Sequence, residues 1–96
     1  MDYPADVKVT WDPDKARTNL TKHGVSFEEA ASALVDPFAL EVPDLVDTER
    51  TIVIGMSART RVLFVVTLVF ETLGVVRIIS ARKASPVQRK KYEEAP

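Results

Sequence analysis

The stretch Val62-Leu63-Phe64-Val65-Val66-Thr67-Leu68-Val69-Phe70 decides the fold. Neighbouring residues of a β-strand point to opposite sides. Val62, Phe64, Val66, Leu68 and Phe70 therefore form one side, and Leu63, Val65, Thr67 and Val69 the other. Both sides are apolar, which places this strand at the centre of a sheet and buries it on both faces. As an apolar run it is too short to span a bilayer.

The period-two pattern continues outward from this strand. Strands are expected near Ala39–Val42, Arg50–Ser57 and Val75–Ala81. Their connections, Pro43–Glu49, Ala58–Arg61 and Glu71–Gly74, are short enough for antiparallel hairpins. In the last strand Arg77 alternates with Val75, Ile79 and Ala81, whereas Arg82 alternates with Val76, Ile78 and Ser80. A regular strand would turn these arginines to opposite faces, and a bulge near Ser80 would reunite them.

Further out the chemistry is helical. Val7–Trp11 alternates as a first strand, and Asp12-Pro13 then supplies an N-cap with proline at the first helical position. That helix should run to Lys22 or His23, with Gly24 as its left-handed stop. Ser26-Phe27-Glu28-Glu29 has the form of a capping box for a second helix, which ends near Val35 because Pro37 drives Asp36 out of the helical region. Ser85-Pro86-Val87-Gln88 is another capping box and opens a charged helix to about Glu94. Its only apolar positions are Val87, Tyr92 and Ala95, which suits a loosely docked lid or a partner-binding element. The expected fold is α+β: a small antiparallel sheet of four to five strands, two N-terminal helices packed on it, and a C-terminal helix.

The 96 residues suffice for one domain, taken as 1–96. Cysteine is absent, so disulfide frameworks and cysteine-based zinc sites are excluded. Met1 leads into Asp2 and Asp6 rather than a basic, then apolar, leader, so the expected compartment is the cytoplasm. Residues 1–48 carry four basic and ten acidic side chains, while residues 49–96 carry nine basic and four acidic ones. If the second half contributes one face, that face is cationic and suits an anion such as a nucleic-acid backbone.

Several catalytic templates fall away. Gly24, Gly55 and Gly74 are isolated, so there is no glycine-rich phosphate loop. His23 has no partner at metal-ligand spacing, and no serine sits in a nucleophile elbow. Lysine, arginine, glutamate and one histidine remain, which is the kit for acid–base chemistry on a phosphodiester. His23 lies at a helix end, where a structural cap is the plainer reading, and Lys15 lies eight residues earlier on the same side of the helix. Glu49-Arg50 opens a strand and could be a surface ion pair. Arg61, Arg77 and Arg82, on strands rich in valine and isoleucine, are either snorkelling or held for a planar anion. Tyr92 could pack or meet a substrate.

Trp11-Asp12-Pro13-Asp14-Lys15, Asn19 and Lys22-His23-Gly24-Val25-Ser26-Phe27-Glu28-Glu29-Ala30 together resemble the N-terminal signature of the BrnT family. Asp36-Pro37, Glu49-Arg50, Gly55, and Arg77-Ile78-Ile79-Ser80-Ala81-Arg82-Lys83-Ala84 with Tyr92-Glu93 continue the pattern in the family's order. The resemblance runs from Trp11 to Glu93. It implies a RelE-like fold and a bacterial toxin of a type II toxin–antitoxin system, an endoribonuclease that cleaves RNA without a metal and arrests translation and growth. It also implies a BrnA-like ribbon-helix-helix antitoxin as partner, operator DNA reached through that antitoxin, and neither cofactor nor membrane.

By the same resemblance the catalytic set is Lys15, His23, Glu49, Arg61 and Arg82, with Arg77, Lys83 and Tyr92 as RNA contacts. Glu49, His23 and Lys15 remain alternative bases. The rival reading is a non-catalytic homologue that binds antitoxin and acts as co-repressor on operator DNA. Gln88 stands where a glutamate is common in the family, and Leu73 makes the Glu71–Gly74 turn less polar than usual, as an exposed contact would.

Overall fold

The computed structural model describes residues 7–95. The elements run β1 (Lys8–Thr10), α1 (Pro13–His23), α2 (Phe27–Leu34), β2 (Leu40–Pro43), β3 (Arg50–Met56), β4 (Val62–Phe70), β5 (Val75–Lys83) and α3 (Pro86–Glu94). A single 3-10 turn, Glu71–Leu73, joins β4 to β5. One sheet holds all five strands in the order β1-β5-β4-β3-β2, with β4 at its centre as its two apolar sides require. Its hairpin-linked pairs are antiparallel, while β1 lies parallel to β5 at the edge.

The helix ends follow their local chemistry. Asp12 Oδ1 accepts the amide of Asp14 at 2.8 Å, and Gly24, at φ 69°, returns its amide to Leu20. Ser26 caps α2 by accepting the amide of Glu29. The reciprocal half of that capping box does not form, because the Glu29 carboxylate is taken by Ser57 and Arg61. At α3 both halves form between Ser85 and Gln88.

One sheet face carries the core. Phe27, Ala30, Ala33 and Leu34 of α2 close over Val53, Leu63, Val65, Val76, Ile78 and Ala81, all buried. Trp11 meets Phe27 edge-on, with ring centroids 6.0 Å apart. Gly55 lets α2 approach: a Cβ there would sit 2.5 Å from the carbonyl oxygen of Ala33. On the opposite face α3 lies against β3 and β4. Ile54, Val62 and Val66 are buried there, but Leu68 is only half-buried and Phe70 is 41% exposed. The second face of β4 is thus covered at one end and open at the other.

Candidate functional site

The feature that organises the open face is a bulge in β5. Val66 pairs with Ser80 and Thr67 with Ile78, leaving Ile79 without a partner. The extra residue resets the alternation, so Arg77 and Arg82 project from the same side despite their odd separation. Phe64, Val66 and Leu68 share that side through their pairing with Arg82, Ser80 and Arg77. Across the sheet Leu68 also pairs with Arg50, and at the far edge Thr10 pairs with Arg77. Among the described residues no strand residue on this face is acidic. The result is an apolar floor bearing Lys8, Arg50, Arg77 and Arg82.

Asn19 stabilises the same segment from outside. β1 covers β5 only along Val75–Arg77, so the edge beyond needs another partner. Buried Asn19 supplies it, donating to the carbonyl of Ala81 at 2.8 Å and accepting the Ala81 amide at 3.1 Å. Its amide also donates to Val25 at 2.9 Å, so one side chain joins α1, the loop before α2 and β5.

Charge pairing separates the arginines into two groups. Of the seven, Arg17, Arg50, Arg59, Arg61 and Arg89 each pair with a carboxylate. Among the described residues Arg77 and Arg82 do not; both project from this face, Arg77 at its open end and Arg82 beside α3. The Arg82 guanidinium lies 4.1 Å over the Phe64 ring, and its Nη1 donates to the Lys83 carbonyl and to Gln88 Oε1, each at 3.1 Å. Its Nε and Nη2, the edge that receives two oxygens of a phosphate side by side, have no partner among the described residues.

Lys15 and His23 come together as their spacing predicts. They line a cleft of about 320 Å³ beside α1, whose far wall is Ile79 and Ser80 of the bulge. Arg77 and Arg82 do not line this cleft; Ser80, between them in β5, is its link to the face that carries them. Lys15 is exposed and His23 half-buried.

The remaining expected site residues lie apart. Arg61 donates from Nε and Nη2 to both oxygens of Glu29, at 2.8 and 2.5 Å, and to the Gly24 carbonyl. Arg61's hydrogen bonds hold the Glu29 carboxyl below its ordinary value against the upward push of burial, helped by the Ser57 hydroxyl at 2.7 Å. In turn Glu29 raises the Arg61 pKa. Lys83 is exposed and shares with Arg61 and Arg89 a separate groove of about 420 Å³ between the β3–β4 hairpin and α3.

Tyr92 donates to Asp36 Oδ2 at 2.5 Å and so ties α3 to the loop after α2. Burial, reinforced by that bond, pushes the Tyr92 hydroxyl up to about 12. Burial pushes Asp36 upward, but the hydrogen bonds from Tyr92 and from the Met56 and Phe38 amides outweigh it and leave the carboxyl below its ordinary value. Glu49 is exposed at the start of β3, two strands from β5. Ser80 was not singled out from sequence; only the bulge gives it a place. Among the described residues no group of three His, Cys, Asp or Glu could hold a metal ion.

The family described as "Ribonuclease toxin, BrnT, of type II toxin-antitoxin system" matches residues 11–87. No curated protein sequence matches the chain. The crystal structure of the Brucella abortus ribonuclease toxin BrnT superposes with a TM-score of 0.67 at 27% identity, covering 82% of this chain and 97% of that one.

Proposed function

Because this chain belongs to the BrnT family of ribonuclease toxins of type II toxin–antitoxin systems, we propose that it is an endoribonuclease that cleaves without a metal and binds RNA across the open sheet face. The observation that carries this reading is the pair Arg77 and Arg82, which have no carboxylate partner among the described residues and which the Ile79 bulge brings to one face of the sheet.

The reaction is an internal displacement. The RNA 2′-hydroxyl attacks the adjacent phosphorus, the P–O5′ bond breaks, and the products are a 2′,3′-cyclic phosphate and a 5′-hydroxyl. A base takes the 2′-hydroxyl proton, and an acid protonates the departing O5′. The free Nε/Nη2 edge of Arg82 suits the non-bridging oxygens, whose charge grows in the phosphorane. Leu68, the partner of Arg77, lies four positions from Phe64, the partner of Arg82, a separation of roughly 13 Å along the strand. Arg77 then serves another phosphate of the same strand. Lys15 and His23, in the cleft beside Ser80, are the proton-transfer pair best supported by position. Glu49 is the more remote alternative base. Lys83 adds a flanking cation, and Tyr92 can touch substrate only by releasing Asp36. Arg61 acts as the anchor of the β3–β4 hairpin.

In this reading the toxin works in the cytoplasm, and a BrnA-like ribbon-helix-helix antitoxin neutralises it by covering the cationic face and carries the complex to operator DNA. The test is cleavage of RNA by the purified chain in EDTA, compared with Arg82→Ala. Cleavage that leaves 2′,3′-cyclic phosphate ends, and that is lost in a folded Arg82→Ala variant, is expected. A folded wild-type chain that cleaves nothing, yet binds its antitoxin on operator DNA, would make it a co-repressor instead.

A further inference from the structure

We propose that Phe64 and Gln88 are positioning residues for Arg82, fixing its guanidinium so that the Nε/Nη2 edge faces the scissile phosphate. This inference rests on the ribonuclease reading and adds to it how the phosphate-binding group is held. A free arginine side chain loses rotamer entropy when it is fixed. That cost falls on substrate binding or turnover unless the protein has already met it.

Here the fixing contacts are chosen so that they do not neutralise the charge. The Phe64 ring supports the flat of the guanidinium at 4.1 Å. Both remaining contacts, the Lys83 carbonyl and Gln88 Oε1, take the same nitrogen, Nη1. Gln88 Oε1 is itself held by the Ser85 amide at 2.9 Å, so it is fixed by the cap of α3 rather than by Arg82. Arg61 is the internal contrast. It gives the very edge that Arg82 keeps free to the two oxygens of Glu29. One arginine is consumed by a carboxylate, whereas the other is held by an aromatic face and neutral oxygens with its charge intact.

The experiment uses the full chain with a single-stranded RNA oligonucleotide. It measures kcat and KM, together with the 15N order parameter of Arg82 Nε. Gln88→Ala and Phe64→Leu should lower kcat, by up to about a hundredfold for a misplaced catalytic contact, with a smaller change in KM and a drop in the order parameter. Phe64→Tyr, which keeps the ring, should recover most of the loss. Glu94→Ala controls for a loosened α3, since it removes only the exposed Lys90–Glu94 pair, and it should leave kcat unchanged. In an Arg82→Lys background Gln88→Ala should cost nothing further, because Gln88 acts through Arg82.

An active wild type whose kcat and Arg82 order ignore Gln88→Ala overturns the positioning role and leaves the ribonuclease reading standing. Equal losses from Glu94→Ala and Gln88→Ala overturn it too, since a loosened α3 alone would then explain them. An inactive, folded wild type overturns both readings.

Discussion

Arg61 turns Nε and Nη2 onto the two carboxylate oxygens of Glu29, a side chain only 4% exposed, and so closes α2 against the β3–β4 hairpin. Removing one member of such a pair strands the other in the interior. Arg61→Ala should therefore cost about 3 kcal/mol, the low end for a buried pair because Arg61 itself is partly exposed. Denaturant unfolding measures it. Once folded at low temperature, the variant should still cleave RNA, whereas a catalytic Arg61 would lose turnover even in the folded fraction.

The same pair sets an acid limit. The folded Glu29 carboxyl lies below its ordinary value of 4.5, so the unfolded chain binds the proton more tightly. The pair's contribution is present above that value and is lost as pH falls through the folded one. Asp36 is lowered in the same direction and adds to the slope. Glu29→Gln should flatten the fall in stability below about pH 4.5, measured as Tm against pH, while lowering stability at neutral pH. An unchanged acid limb would mean that other carboxylates govern it.

Tyr92 should act at the alkaline end. Its folded value, about 12, lies above the ordinary 10.0, so the unfolded chain releases the proton first. Stability from the Tyr92–Asp36 bond is complete below that ordinary value and disappears as pH rises through the folded one. Tyr92→Phe should remove this alkaline slope at a neutral-pH cost of about 1 kcal/mol. Tm measured from pH 8 to 12 in both proteins checks it. If the substitution also abolishes cleavage without loosening α3, Tyr92 touches the RNA after all.

Much of this architecture could be read from local chemistry. The two apolar sides of Val62–Phe70 located the central strand, and Asp12, Gly24 and Ser85 marked helix ends where the structure has them. What was not legible depended on distant partners. Glu29 looks like the second half of a capping box until Arg61, thirty-two residues later, claims its carboxylate. Parity alone separates Arg77 from Arg82, and only the slip at Ile79 unites them. Asn19 belongs to the family signature, but its role needs the unpaired edge of β5, which no spacing reveals.

Gly55 is a position where close packing, not backbone conformation, demands glycine. An added Cβ would stand 2.5 Å from the Ala33 carbonyl oxygen and 3.2 Å from the Ala39 Cβ. The obstacle is helix backbone, so α2 itself must shift. Gly55→Ala should lower stability by about 1–3 kcal/mol, the range for overpacking a core, read from the urea midpoint. A neutral result would show that α2 can move away without loss.

Arg77 and Arg82, without carboxylate partners among the described residues, make a distinct prediction about salt. Each cation that neutralises an RNA phosphate releases a counterion, and for single strands this contributes about 0.7 to the slope of log K against log salt. Arg77→Ala and Arg82→Ala should each reduce the slope for a non-cleavable 2′-deoxy substrate by about that amount. Arg61→Ala should leave it unchanged, because that guanidinium already faces Glu29. Turnover then separates the first two: Arg82→Ala should lose kcat, and Arg77→Ala should chiefly raise KM, as expected for a contact away from the reacting bond. Equal slopes in all four proteins would mean that RNA does not cross this face, and the cationic groove of Lys83 and Arg89 would become the place to look.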